Sequence, residues 1–223
     1  LAYAVSPDGL TWDRPRLNPA TGDNRILPDL RPDSGAVFLD ETSETERFKI
    51  MVRPPNFAAG GGSAGAHLAV SADGIHWGKR VRTGPMGDRS SFFLDPFRRR
   101  WVYSIRASCA HGRCRKFWDS PDFLAGAAWD KDTPVWWAFA DDRDEPGDSP
   151  AQLYNLDAVG YESLMLGLFE IHKGPPNDAC EVLGMPKVTE LSLAYSRDGF
   201  HWHRPDRRAF IPCRREPGSW EYG

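Results

Sequence analysis

Short apolar runs alternate along the chain with clusters of turn-forming residues. His67-Leu68-Ala69-Val70, Trp101-Val102-Tyr103-Ser104-Ile105 and Leu191-Ser192-Leu193-Ala194-Tyr195 are examples. Residues two apart share a face of a strand, so runs of this length and pattern predict β-strands packed on at least one face. The Gly, Pro, Asp and Ser clusters between them favour tight reversals. No apolar run reaches the roughly 18 residues that a membrane-spanning helix requires.

One pattern repeats. Ser-x-Asp-Gly-x-x-Trp occurs at 6–12, 71–77 and 196–202, each time just after an apolar segment. A degenerate copy, Ser120-Pro121-Asp122-Phe123, has Trp129 beyond it. The glycine is free to take positive φ, and the Ser and Asp side chains can bond the backbone of their own turn. The Trp then packs its ring on the neighbouring sheet. A second element alternates with this one. It is a strand, a polar turn and a second strand, as in 36–52, 91–105 and 159–169.

Joined, the two elements make four-stranded units over about 30–82, 88–130 and 152–205, with partial units at 1–18 and 219–223. An acidic, Pro-rich insertion fills 130–150. Four-stranded units in series, none able to bury both faces alone, predict a single all-β domain of propeller type. A β-sandwich is the rival architecture.

Composition agrees with many turns and many packed rings: there are 9 Trp, 19 Pro and 21 Gly in 223 residues. The 28 basic residues are balanced by 31 acidic ones, so nothing points to nucleic acid or another polyanion. The cysteines are Cys109, Cys114, Cys180 and Cys213, with one close pair where a structural zinc site would usually show two. Free thiols and a disulfide both stay open, and so does the compartment. No metal and no other cofactor is expected. The chain starts at Leu1 in mid-pattern, so the natural protein is expected to extend further toward the N-terminus.

The segments 3–15, 196–205 and 210–220 resemble the five-bladed β-propellers of glycoside hydrolase families 32, 43 and 68 and their bacterial relatives. Sialidase-like propellers carry a similar Asp-Gly-Trp turn. The resemblance implies a five-bladed propeller, of which this chain would hold about three whole blades and parts of two. It also implies cleavage of a glycosidic bond by two carboxyl groups, one acid and one base or nucleophile. A propeller that binds carbohydrate or protein without turnover is the alternative.

Acids in or just before the first strand of each unit would face a central channel. Asp33 and Asp88 stand at matching places before 34–39 and 89–94. Glu162 interrupts the apolar segment 159–169, where burial would raise its pKa and suit it to general acid work. These three are the expected catalytic groups. Asp157, Arg106, Tyr154 and Trp118 are the expected substrate-binding groups, with Trp136 and Trp137 as further ring candidates. His111 and His172 have no evident partner, and the glycine-rich stretch 60–65 reads as a loop at one mouth.

Overall fold

The computed structural model describes residues 1–30, 32–55 and 65–222, and the glycine-rich stretch 60–64 lies outside them. It is all-β, built from three antiparallel sheets, none of which closes on itself. The first contains β1 (Ser34–Leu39), β2 (Phe48–Arg53), β3 (His67–Ser71) and β4 (Val81–Arg82) in that order. The second contains β5 (Ser91–Asp95), β6 (Arg100–Cys109), β7 (Gly112–Ser120) and β8 (Val135–Ala138). The third contains β9 (Gln152–Tyr161), β10 (Leu164–Gly174) and β11 (Val188–Ser196). A short helix, α1 (Asn177–Leu183), joins β10 to β11. In place of a fourth strand, residues 203 and 211 form single bridges to Tyr195 and Leu191.

The sheets stand face to face in chain order, and alternation along the strands explains how. Trp101, Tyr103 and Ile105 of β6 point to the first sheet, where they meet Met51, Leu68 and Phe38. Val102, between them, points the other way and packs with Phe93, Phe117 and Met165 against the third sheet. The middle sheet is therefore buried on both faces, which accounts for the consecutive apolar residues Trp101, Val102 and Tyr103 in β6. Each fully buried large side chain of such a core contributes on the order of 2 kcal/mol.

The repeated turns share one construction. In all three, the Ser hydroxyl donates to the Asp carboxylate at 3.0–3.1 Å and accepts the Gly N–H at 2.7–2.9 Å. The Asp carboxylate accepts the next two backbone N–H groups at 2.8–3.0 Å. The three glycines have φ of 75°, 75° and 68°. Trp77 and Trp202 pack into cores as expected, whereas Trp12 is exposed and bonds Gly9 O.

One expectation is corrected, and the rival sandwich architecture is not what forms. The stretch 130–150 is not a free insertion, because it supplies β8, the fourth strand of the second sheet. Its acidic part is anchored: Asp144, nearly buried, receives both terminal nitrogens of Arg204 at 2.7 and 2.6 Å. And three stacked sheets form, where a sandwich would have two. All four cysteines are free thiols, and burial pushes Cys114 up to about 12.

Candidate active site at the leading edge of the sheets

The first strands of the three sheets lie side by side, and side chains fix their relative height. Ser34, at the start of β1, accepts the backbone N–H of Arg89 at 3.3 Å. Ser91, at the start of β5, donates to the carbonyl of Leu156 in β9 at 3.2 Å. Asp33, Asp88 and Asp157 therefore belong to one edge of the stack. Each is flanked by nitrogen donors. Asp33 pairs with Arg53 Nη1 at 2.6 Å. Asp88 Oδ1 lies 3.4 Å from Arg106 Nε, an ion pair too long for a good hydrogen bond. Asp157 accepts the side-chain amide of Asn155 at 2.7 Å.

Behind this edge lies Arg115, on β7 and fully buried. Burial brings its pKa down to about 10, opposed by the charges of Asp157, Glu170 and Asp88 and reinforced by that of Arg106. One terminal nitrogen donates to the Arg89 carbonyl at 2.8 Å, while Nε and Nη2 have no partner among the described residues. A buried guanidinium is tolerated only where carboxylates compensate it. Arg115 thus organises the acids around it without touching solvent.

Glu170, on β10, completes the group and was not among the expected residues. It pairs across the sheet with Asn155, while Asp157 pairs with Leu168. Asp157 and Glu170 are thus diagonal neighbours, an arrangement that places the residues about 7–8 Å apart and their Cβ atoms somewhat closer. Burial raises the Glu170 pKa; Arg89 and Arg115 oppose the rise and Asp157 adds to it. Its side chain opens on a cleft of about 370 Å³ that Leu191, Trp220 and Tyr222 also line. A signal for it existed. Glu170 interrupts an apolar run, the same argument that singled out Glu162, but from mid-strand.

Glu162 itself is corrected. It sits exposed in the two-residue turn between β9 and β10, with φ of 53°. Gly160 lies against Pro96, beyond the far end of β5, so Glu162 is at the opposite end from Asp88. Five residues of strand separate it from Asp157, about 17 Å. Trp118 is also corrected as a sugar platform: its indole N–H bonds Gly126 O at 2.9 Å and its ring packs on the core between the first two sheets. Trp137 is tied to Phe200 O at 2.7 Å, while Trp136 is exposed under Lys116 on the rim of the second sheet.

Tyr154 stays at the leading edge. Its ring lies 5.5 Å from that of His172, which is buried with an unpartnered Nδ1. Burial lowers the His172 pKa to about 4, helped by Arg113 and Lys187. His111 stacks on Phe139. Among the described residues no group of three His, Cys, Asp or Glu could hold a metal ion.

No family model and no curated protein matches the sequence. Solved structures do. An N-acetylgalactosamine deacetylase from F. plautii, in complex with blood group B trisaccharide, superposes with a TM-score of 0.67 at 16% identity. The match covers 97% of this chain and 63% of that one. A Bombyx mori β-fructofuranosidase of glycoside hydrolase family 32 with sucrose gives 0.44 at 11% identity, over 70% and 31% of the two chains. A glycoside hydrolase-like protein from Parabacteroides distasonis gives 0.44 at 14%, over 83% and 55%. The chain thus spans less than two thirds of the length of these proteins, and it shares the fold of the F. plautii deacetylase along nearly its whole length.

Proposed function

We propose that this chain is part of a five-bladed β-propeller that cleaves a glycosidic bond at the leading edge of its sheets. The observation that carries the reading is the Asp157–Glu170 pair, two carboxyl groups in neighbouring strands of which one has its pKa raised by burial. Such a pair divides the work: Glu170, whose proton burial makes harder to lose, gives it to the leaving oxygen, and Asp157 acts as base or nucleophile. Asp33 and Asp88, each beside an arginine, hold substrate hydroxyls, and Tyr154 supplies a ring for an apolar sugar face. A fold held in common with an enzyme crystallised with a trisaccharide supports a carbohydrate substrate.

The second reading is a propeller that binds carbohydrate without turnover. What favours it is that Asp33 and Asp88 are already engaged by Arg53 and Arg106. A panel of aryl glycosides and oligosaccharides decides. Hydrolysis that Glu170→Gln lowers by about 10²–10⁴-fold, with binding preserved, supports the hydrolase. Binding without turnover by the unaltered protein supports the second reading, and turnover untouched by Glu170→Gln removes Glu170 from the mechanism.

A further inference from the structure

The leading edge carries more positive charge than its acids use. Arg53 and Arg106 face Asp33 and Asp88. Arg89, Arg113 and Arg115 have no such carboxylate pairing among the described residues, although they stand together. The guanidinium carbon of Arg89 lies 6.0 Å from the centre of the Tyr154 ring, and that of Arg113 lies 5.1 Å from it. Arg113 Nη1 reaches a neutral partner, Gln152 Oε1, at 2.9 Å. Arg115 adds its charge from behind, in a dry setting where charge acts at greater strength.

Arg89 is also held in an unusual conformation. Its φ is 55°, in the left-handed region that non-glycine residues seldom enter. Both ends of the residue are clamped. Its N–H meets the Ser34 hydroxyl at 3.3 Å, and its carbonyl receives the buried Arg115 at 2.8 Å. Strain of this kind persists where surrounding contacts enforce it, and it concentrates at ligand clamps. The enforced backbone leaves the exposed Arg89 side chain over Tyr154, beside Glu170.

We infer that Arg89 and Arg113, stacked on Tyr154 and backed by Arg115, form a carboxylate-binding subsite, so the sugar taken at this edge is an acidic one. The inference rests on the carbohydrate reading above and specifies its substrate class. A guanidinium presents a planar fork that fits a carboxylate through two parallel hydrogen bonds, and a ring beneath it holds the fork in place. Asp157 and Glu170 act on this cluster only at longer range, so a neutral sugar would leave Arg89 and Arg113 without a carboxylate in direct contact.

The test is calorimetric titration of the full chain with methyl β-D-glucuronide and with its neutral counterpart, methyl β-D-glucoside. A sulfated glucoside separates a demand for carboxylate geometry from a demand for negative charge alone. The glucuronide should bind at least tenfold more tightly than the glucoside and at least as tightly as the sulfated sugar, with affinity falling as salt is raised. Arg89→Asn suits the left-handed backbone, and Arg113→Gln removes the charge while keeping a polar side chain. Each should cost the glucuronide tenfold or more and leave the weak binding of the glucoside and the unfolding temperature unchanged. Equal affinity for the acidic and neutral sugars, or glucuronide binding indifferent to both substitutions, overturns the subsite while the carbohydrate reading stands. Tighter binding of the sulfated sugar overturns the carboxylate assignment. Failure of all three probes to bind overturns subsite and carbohydrate reading together.

Discussion

At the scale of single residues, the chain solves the same turn three times with the same atoms. Ser71, Asp73 and Gly74 close a network in which each side-chain oxygen replaces a backbone partner, and Gly74 sits at φ of 75°. A side chain at such φ costs about 1–2 kcal/mol, so Gly74→Ala should lower stability by that amount in urea unfolding. His172 makes a different demand. It is folded into a dry site as the neutral ring, with a pKa near 4 against 6.5 for the free group. The stabilisation is complete above pH 6.5 and is lost as pH falls from 6.5 through 4, because only the unfolded chain takes up the proton readily. The loss should amount to about 2–3 kcal/mol, and His172→Gln should flatten that slope in unfolding midpoints measured across the range. Glu170 has the opposite sign. Its raised pKa favours the protonated folded form, so its contribution fades as pH rises through that pKa. Turnover that uses it as an acid falls over the same interval, and Glu170→Gln should abolish that limb of the pH–rate profile.

At the scale of elements, an ion pair ties down a segment that lies between strands. The acidic stretch before β9 reads from sequence as a polar insertion, yet Asp144 and Arg204 meet with both side chains almost fully enclosed. Removing Asp144 leaves the buried Arg204 only the longer contact with Asp141 at 3.8 Å, so Asp144→Ala should destabilise the chain by about 3 kcal/mol, read from the shift of the urea midpoint. The β9–β10 hairpin taught the converse. Its two turn residues are Glu162 and Ser163, with no Asn-Gly or Asp-Gly to announce them. Without that signal the apolar run looks continuous, and Glu162 looks enclosed when it is the exposed tip. Glu170, in the same run, is the acid that the strand does enclose. The difference of eight positions separates one end of the sheet from the other.

At the scale of the whole molecule, the middle sheet is covered on both sides and the outer two are not. Val37 and Leu39 at one end of the stack, and Val159, Leu193 and Tyr195 at the other, remain well exposed despite their apolar character. None of them supports the cores between the described sheets. The double substitution Val37→Thr with Val159→Thr keeps branched side chains suited to strands and should change the unfolding free energy by no more than about 0.5 kcal/mol. Phe93→Ala, by contrast, opens the core between the second and third sheets and should cost about 3–5 kcal/mol in the same measurement.

Local chemistry settled what the sequence could settle alone. The period of the strands, the Ser-x-Asp-Gly-x-x-Trp turns and the succession of antiparallel units all arise from contacts within a few residues, so they are legible in the chain itself. The placing of Asp33 and Asp88 just ahead of β1 and β5 is of the same kind. Tertiary structure alone decided which charges meet. Arg115, on a strand far along the chain from Asp157 and Glu170, is brought behind them by packing of the second sheet on the third, and no spacing in the sequence encodes that approach. The burial that raises the Glu170 pKa has the same origin, since it depends on the sheets, the Arg89 turn and the C-terminal segment closing around one carboxyl group. Strand pattern is a short-range property of the backbone; the pKa of a site is a sum over everything that folding places nearby.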